Sequence, residues 1–376
     1  MNTKKKFSFR KFTNDIHLWL GLLSGIILFL VCLSGSILTF EDEIKNIFAK
    51  KTHIEPSSNN IDIDELTATI KSKNKGFITG LTIPDELEKP YVFTIKKDLK
   101  ERRGSTILVN PYTQQIIKLE KNPADNFLMT MFKLHRWLLL DVKIGRPIVG
   151  IATIIFLILS VSGIILWFPK KIKWKKIKTG FKIKTTSNWK RINYDLHNTL
   201  GFYACIIIVI MSLTGLAWSF ESYRNGLGEV LNAPVFGNRS TTYKTTENSN
   251  SKEITLKNAL NIVNNEFDYS GKLSISFPNQ KNKYFQFRKY DSNSWSPETN
   301  DKLIVDVYGN VLHTDYFKEK PLNVQIAALI KPLHTGKIFG TFSKIIYFLA
   351  CLIATSLPVT GTIIWLNKMK KKKGKN

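Results

Sequence analysis

The run LWLGLLSGIILFLVCLSGSILTF, residues 18–40, contains no charged side chain and predicts a transmembrane helix. A bilayer core of ~30 Å takes about 20 residues of helix to cross, and this run is long enough. It is too long for a secretory signal, and no small-residue cleavage site follows it, since Glu41, Asp42 and Glu43 come next. Three further apolar runs bring the predicted spans to four: Ile148–Phe168, Leu200–Phe220 and Ile345–Leu366.

The net charge of +26 is concentrated beside these spans. Residues 1–14 hold five Lys and Arg, residues 170–191 hold ten and residues 367–376 hold six, and none of the three blocks contains an acidic residue. Basic residues next to spans mark the cytoplasmic side, so both termini and the loop between spans two and three are predicted to be cytoplasmic. No nucleic-acid partner is expected, because the basic residues lie at span ends and not on a folded face.

The two long segments between spans are predicted to lie outside the membrane, each as a small α+β module. Each begins with a helical pattern, Asp62–Lys73 in the first and Thr255–Asn265 in the second, and continues with runs typical of strands. The predicted strands are Phe77–Ile83, Tyr91–Lys96, Thr106–Asn110 and Ile116–Leu119, then Lys272–Phe277, Tyr284–Tyr290 and Leu303–Val307.

The predicted organisation follows from the spans and the modules. In chain order it comprises a basic N-terminus (1–14), span one (15–40), module one (41–125), a histidine segment with span two (126–168), a basic loop (169–194), span three (195–220), module two (221–325), a histidine segment with span four (326–366) and a basic tail (367–376). The fold class is therefore an α-helical membrane protein with four transmembrane helices and two small extracytoplasmic α+β modules.

The chain also repeats itself. Asp-Ile-His-Leu-Trp-Leu-Gly at 15–21 and Asp-Leu-His-Asn-Thr-Leu-Gly at 195–201 open spans one and three, and Leu-His at 134–135 and 333–334 precedes spans two and four. A Ser or Thr followed by Gly lies within each span, at Ser34-Gly35, Ser162-Gly163, Thr214-Gly215 and Thr360-Gly361. Two pseudo-repeats of helix, module and helix are predicted.

Each span is thus associated with one histidine: His17, His135, His197 and His334. The first and third lie at the predicted cytoplasmic ends of spans, and the other two lie just outside the opposite face. An ionisable residue beside a span is costly and indicates function. Two imidazoles on facing helices can hold a planar metal cofactor, and haem iron takes axial nitrogen ligands. Small residues would let the macrocycle or a neighbouring helix approach closely, namely Gly21, Gly35, Gly201 and Gly215.

Other roles are open for these residues. A histidine at a membrane interface can be an anchor, and the Ser/Thr-Gly pairs can serve helix packing alone. Zinc is disfavoured because two protein ligands on each side are too few. Asp15 and Asp195 are predicted to be helix caps. Arg136 and Arg146 could pair with haem propionates or with lipid headgroups.

The positions of His135 and His334 pose a geometric problem. Each precedes its apolar run by about a dozen residues, so a continuous helix would place it up to ~18 Å above the span. A helix break at Pro147 would be one way to bring His135 closer. The remaining histidines, His53 and His313, have no repeat partner and are assigned to the modules.

These motifs resemble the PepSY-associated transmembrane family, also called iron-regulated membrane proteins. The resemblance covers nearly the whole chain and rests on the motifs at 15–21 and 195–201, on Leu-His-Arg-Trp-Leu-Leu at 134–139 and on Leu-His-Thr-Gly-Lys-Ile-Phe-Gly at 333–340. It implies a bacterial inner-membrane protein whose outside segments are similar to PepSY domains. It also implies two bis-histidine haems b with four axial ligands: His17, His135, His197 and His334.

The better-understood branch of this family is similar to haem-containing ferric-siderophore reductases, which implies outward electron transfer to a ferric chelate in the periplasm. No Gly-x-Gly-x-x-Gly loop follows a strand, so a separate donor, a quinol or a cytoplasmic reductase, is expected. Two other classes are open. One is a non-enzymatic accessory protein that binds or regulates an extracytoplasmic peptidase. The other is a metal or siderophore uptake component, which the small number of spans disfavours.

Overall fold

The structure, a computed structural model, describes residues 7–49, 54–57, 61–101, 104–117, 121–236, 243, 245 and 252–373. His53 and residues 1–6 of the predicted basic N-terminus lie outside the described residues. The chain divides into two compact units. The described residues within 1–47, 123–235 and 328–376 form a helical unit, and those within 48–122 and 236–327 form a sheet unit.

The described helices follow one another in the order α1 (Phe9–Thr39), α2 (Glu41–Phe48), α3 (Ile63–Lys73), α4 (Ala124–Trp137), α5 (Val142–Trp167), α6 (Trp174–Gly180), α7 (Trp189–Asp195), α8 (Gly201–Ser219), α9 (Glu221–Val230), α10 (Leu256–Glu266), α11 (Leu322–Thr335) and α12 (Gly340–Lys373). A π-helical turn, Leu196–Leu200, joins α7 to α8, and a short 3₁₀ turn spans Phe317–Glu319.

Four of these helices are long and apolar enough to cross a membrane, which confirms the four predicted spans. They cover Phe9–Thr39, Val142–Trp167, Trp189–Ser219 (α7, the π-helical turn and α8 together) and Gly340–Lys370. Large apolar side chains on them face outward. Leu23 is 75% exposed and Ile26 is 77% exposed, as expected where lipid and not water surrounds the protein.

The four spanning helices pack as a ring in which α1 and α8 each contact both α5 and α12. Small side chains fill the centre of the ring, with Cys32, Ala204, Ala350 and Ala354 all buried. Small residues allow helix backbones to approach closely where lipid supplies no hydrophobic driving force. All three cysteines, Cys32, Cys205 and Cys351, are free and buried.

Two sharp reversals bring the flanking helices α4 and α11 back against the bundle. Leu138 and Leu139, with φ of 56° and 60°, end α4, and α5 begins afresh at Val142. The break that Pro147 would permit is not found. Helix α5 continues through this proline, which lies near its N-terminus, where few backbone hydrogen bonds are lost. Gly336 and Gly340, both with positive φ, separate α11 from α12 in the same way.

The C-terminus of α5 is capped by a side chain from α1. The Arg10 guanidinium donates to the carbonyls of Phe168 at 2.8 Å, Leu166 at 2.6 Å and Ile165 at 3.3 Å. These carbonyls have no partner within their own helix, and a cation complements the helix dipole there. The contact joins the start of α1 to the end of α5.

We expect Arg10→Ala to lower the free energy of unfolding by about 1–2 kcal/mol, because the three carbonyls lose a charged donor. Thermal unfolding in detergent would show a lower melting temperature. Lys11→Ala is the matched control, since it removes a neighbouring exposed cation from the same helix turn. Equal melting temperatures for the two variants would contradict the capping role.

The sheet unit contains one antiparallel sheet of eight strands, arranged β4-β3-β2-β1-β5-β6-β7-β8. The strands are β1 (Phe77–Ile83), β2 (Tyr91–Lys96), β3 (Ser105–Val109), β4 (Ile116–Ile117), β5 (Gly271–Ser276), β6 (Tyr284–Asp291), β7 (Asp301–Asp306) and β8 (Val311–Asp315). The seven predicted strands are found within about two residues, and β8 is additional. The part of Ile116–Leu119 beyond residue 117 lies outside the described residues.

Each outside segment therefore supplies four strands to a single sheet, whereas the sequence predicted two modules. The two sets join where β1 pairs with β5, from Gly80 opposite Ser276 to Ile83 opposite Leu273. An unpaired strand edge exposes backbone donors and acceptors, and this pairing satisfies them. The core is also shared, because Phe93 and Phe287 from the two sets belong to one buried cluster.

Helices α3 and α10 contribute to that core, and both begin as predicted. Asp62 caps α3 by accepting from the backbone N–H of Asp64 at 2.9 Å, and Thr255 caps α10 by accepting from Asn258 at 3.3 Å. An N-cap side chain satisfies one of the free backbone donors of the first helical turn.

Candidate functional site

The four repeat-matched histidines lie in the helical unit as two pairs. His17 of α1 faces His197 of the π-helical turn with ring centroids 6.2 Å apart and ring planes at 89°; we call these residues the first pair. His135 of α4 faces His334 of α11 with ring centroids 6.1 Å apart and ring planes at 54°; these form the second pair. Each pair takes one histidine from each half of the chain.

Glycines lie directly against both rings of the first pair. A Cβ atom on Gly163 would lie 3.4 Å from Cε1 of His17, and one on Gly361 would lie 3.2 Å from Cε1 of His197. The second residue of each Ser/Thr-Gly pair in α5 and α12 therefore leaves the space that an imidazole occupies.

The second pair is held in the same manner by α1 and α8. A Cβ atom on Gly35 would lie 3.0 Å from Cε1 of His135, and one on Gly215 would lie 2.9 Å from Cε1 of His334. Real Cβ contacts at these distances are rare, so a larger residue would displace the ring. All four Ser/Thr-Gly pairs thus contact a histidine, which goes beyond packing one helix on another.

The hydroxyls of the same motifs bind the first pair. His17 Nδ1 lies 2.9 Å from Ser162 Oγ, and His197 Nδ1 lies 2.9 Å from Thr360 Oγ1. Each hydroxyl donates its own proton to a carbonyl one turn earlier in its helix, from Ser162 at 2.7 Å and from Thr360 at 3.0 Å. The hydroxyl oxygen is left to accept, so each Nδ1 carries the proton.

Backbone carbonyls hold the second pair. His135 Nδ1 lies 2.9 Å from the Val31 carbonyl, and His334 Nδ1 lies 2.9 Å from the Met211 carbonyl. A carbonyl oxygen only accepts, so Nδ1 is again the protonated nitrogen. Thr214 Oγ1 adds a second contact to His334 at 3.2 Å.

These contacts fix the tautomer of all four imidazoles. With Nδ1 protonated, Nε2 is unprotonated in the neutral ring and keeps a lone pair. Within the described part of the chain, Nε2 of these histidines makes no hydrogen bond. Metal-binding histidines characteristically donate their second ring N–H to a fixed acceptor, and this is the arrangement found here.

The second pair is kept neutral by its surroundings. Burial lowers the pKa of His135, and burial, followed by the interaction with His135 and then by the charge of Arg136, lowers that of His334 to about 4. Neutral imidazole is the form that binds metals.

The helix around His197 departs from regular geometry. A π-helical turn covers Leu196–Leu200, whereas the matching part of α1 is an ordinary α-helix. Such turns are frequent at functional sites. Just before the turn, the buried Asn193 donates to the Thr360 carbonyl at 3.0 Å, which fixes this segment against α12.

The two pairs lie far apart along the bundle. His17 lies towards the N-terminal end of α1, and the second pair contacts the same helix at Val31 and Gly35. A rise of ~1.5 Å per residue separates His17 from Val31 by about 21 Å along the axis. The chain reversals resolve the geometric problem posed by the sequence, because they bring His135 and His334 to the level of the spans.

The arrangement can hold one metal ion between the two rings of each pair. Among the described residues, no group of three or more His, Cys, Asp and Glu side chains is placed to bind a metal. A structural zinc site usually needs four such ligands, and each pair offers two.

The predicted caps are wrong. Asp15 lies within α1, which begins at Phe9, and Asp195 ends α7, whose cap is Asn188. The helices begin earlier than the apolar runs because polar residues extend them beyond the bilayer core. Asp195 is instead buried in an ion pair of 2.9 Å with Arg191.

We expect Ser162→Ala to weaken metal-cofactor binding at the first pair by about 10–100-fold, because His17 loses its side-chain hydrogen bond to the Ser162 hydroxyl. Thr214→Val is the matched control, since the Met211 carbonyl still accepts from His334 after the hydroxyl is removed. Cofactor occupancy in purified protein, followed by optical titration, measures both effects. Equal losses in the two variants would contradict the assigned role of the hydroxyl.

The fold and the site define a polytopic membrane protein with a separate antiparallel α+β unit and two facing imidazole pairs in its helical unit. A family profile described as the PepSY-associated TM region matches residues 15–368, a range that includes all four histidines. The chain therefore belongs to the PepSY-associated transmembrane family, as its motifs indicated. No curated protein matches the chain.

Proposed function

We propose that this protein transfers electrons across the bacterial inner membrane through two bis-histidine haems b and reduces ferric chelates, such as ferric siderophores, on the periplasmic side. The observation that carries the proposal is the spacing of the imidazole pairs, 6.2 Å and 6.1 Å between ring centroids at two levels of one bundle.

This spacing fits two imidazoles bound to one iron. A metal–nitrogen bond to histidine is about 2.0 Å, and the ring centre lies about 1 Å beyond the nitrogen. Two rings on opposite sides of one iron therefore have centres about 6 Å apart. The protonated Nδ1 atoms and the ring-facing glycines are consistent with the same assignment, because they leave Nε2 of each ring for the metal.

The chain's own residues would position and insulate the cofactors. His17 with His197, and His135 with His334, would supply the axial nitrogens, while haem when bound supplies a one-electron carrier. A buried cluster that includes Cys32 and Ala354 packs the interior of the bundle. Burial and axial ligation are the means by which a protein sets haem reduction potential.

The orientation of the two pairs is taken from the charge pattern. The basic blocks predict cytoplasmic termini, so the first pair would lie towards the cytoplasm and the second towards the periplasm. Each Fe(III) accepts one electron to become Fe(II). A quinol donor supplies two electrons and releases two protons, so one quinol would support the reduction of two ferric ions; a cytoplasmic reductase is the other donor class.

We further propose that the two halves are pseudo-repeats and that their outside segments are PepSY-like modules that bind the chelate. The mirrored strand order β4-β3-β2-β1 and β5-β6-β7-β8 supports this interpretation. Each pair also combines one histidine from the first half of the chain with one from the second, which supports it as well.

The test is spectroscopy followed by reduction. Protein purified in detergent from haem-replete cells is expected to show a Soret band, split low-spin bands on reduction and two haems per chain. In proteoliposomes with a quinol donor, it should reduce an added ferric chelate. A colourless protein would overturn the proposal and favour an accessory role for the sheet unit. Two haems without chelate reduction would remove the substrate claim only.

A further inference from the structure

One face of helix α8 surrounds the ring of His334. Residues three and four apart lie on the same helix face, and four residues with this spacing contact the ring: Met211, Thr214, Gly215 and Trp218. The Met211 carbonyl and the Thr214 hydroxyl lie 2.9 Å and 3.2 Å from Nδ1, and Gly215 lies against Cε1. The indole of Trp218 packs on the imidazole with ring centroids 5.1 Å apart and ring planes at 49°.

The matching face of helix α1 carries no indole. The backbone carbonyl and the glycine contact recur at both rings of the second pair, as expected from the repeat. The same repeat, which matches Gly35 with Gly215, places Leu38 at the position of Trp218. The indole therefore serves His334 alone, and the two rings of the second pair have different side-chain neighbours.

The hydrogen bond at Nδ1 does not by itself fix the plane of an imidazole. With Nδ1 held by a carbonyl and Nε2 bound to a metal, the ring can still swivel about the line through its two nitrogens. The terminal torsion of histidine, which this movement changes, has a broad energy minimum. A second ring packed on the imidazole opposes the movement, because aromatic pairs have preferred separations and tilts.

We propose that Trp218 is a positioning residue that fixes the ring plane of His334. This inference rests on the proposed function, in which His334 is an axial ligand of a haem. The angle between two axial imidazole planes governs the energies of the iron orbitals that they perturb. By holding one ring of the second pair, the indole would keep this angle near the 54° found between His135 and His334.

The test is the low-spin electron paramagnetic resonance signal of the second pair in the oxidised full chain. Trp218→Leu removes the indole and leaves α8 with the side chain that α1 carries at the matching position, so the helix should fold. We expect the signal of the second pair to shift and to spread over a wider range of g values. Haem binding at this pair should weaken by about two- to tenfold, the range expected for loss of an aromatic contact.

Trp218→Phe keeps a ring beside His334 and should retain a single, narrow signal from the second pair. The signal of the first pair should not move in either variant. Trp365→Leu is the matched control, because it removes another partly buried indole from a spanning helix and should leave the second signal unchanged.

An unchanged second signal in Trp218→Leu, beside two normal signals in the wild-type protein, would overturn this inference and leave the proposed function standing. If the leucine variant does not fold, Trp218→Met is measured instead, since methionine fills irregular space without a ring plane, and an unchanged signal there would be equally contrary. Equal changes in both signals would also overturn the inference, because they would indicate a general loss of packing. Absence of low-spin signals from the wild-type protein would instead defeat the proposed function.

Discussion

His17→Ala and His197→Ala are each expected to leave one low-spin haem in place of two, and His135→Ala and His334→Ala are expected to do the same. Under the proposed function, removing one imidazole would take away one of the two protein ligands of an iron. Because the two facing members of a pair would share that iron, either substitution in a pair should give the same spectrum. A substitution in the first pair should leave only the spectrum of the haem at the second pair, and a substitution in the second pair should leave only that of the haem at the first.

Haem content per chain and the reduced-minus-oxidised optical spectrum measure this result. His313→Ala is the matched control, because His313 lies in the sheet unit, where its ring stacks on Tyr243 at 5.3 Å. Two haems retained in His17→Ala and in His135→Ala, with unchanged low-spin bands, would show that these histidines are not ligands.

Gly215→Val is expected to abolish haem binding at the second pair, and Gly361→Val at the first. Even one added carbon would lie 2.9 Å from the His334 ring and 3.2 Å from the His197 ring, and valine adds two more at the same point. The ring must then move out of line with its partner, and axial ligation tolerates little displacement.

The control is Gly226→Val in α9, where an added Cβ meets nothing within 4 Å. The three variants should have similar expression and differ in haem content, with the unaffected pair of each span variant keeping its haem as an internal standard. Full haem content in Gly215→Val would contradict the contact between this glycine and a ligand.

The spans and most strands could be predicted because their signals are local. In a bilayer, an apolar run as long as 18–40 is stable as a transmembrane helix. The β1 and β2 segments carry β-branched and aromatic residues, which favour strands, between turn signals. The single sheet could not be predicted in this way. The pairing of β1 with β5 joins residues nearly 200 positions apart, and neither strand indicates which partner will cover its edge.

The reversals that bring the second pair to the bundle were also not predictable. Proline at 147 is the residue that ordinarily suggests a break, yet the chain turns at Leu138 and Leu139. Leucine rarely adopts positive φ, so only the packing of the surrounding structure imposes it. The close approach of Gly145 to the Trp137 carbonyl, where no Cβ would fit, is part of that packing.

The histidines could be found from the sequence because they repeat, but their supports were only partly visible. The Ser/Thr-Gly pairs repeat alongside the histidines, and that coincidence is a signal that each pair serves one ring. The acceptors of the second pair are the carbonyls of Val31 and Met211. Every residue has a backbone carbonyl, so the sequence does not show which carbonyl will accept a hydrogen bond.

The most direct measurement is the electron paramagnetic resonance spectrum of the oxidised, purified protein. When two axial imidazole planes are perpendicular, the iron orbitals that they perturb become nearly equal in energy and the low-spin ferric signal is strongly anisotropic. We predict two low-spin signals, with the more anisotropic one from the first pair, whose planes lie at 89°, and the less anisotropic one from the second pair, at 54°. His17→Ala should remove the first signal alone. A spectrum with only high-spin iron, or with none, would contradict the ligation of iron by these paired imidazoles.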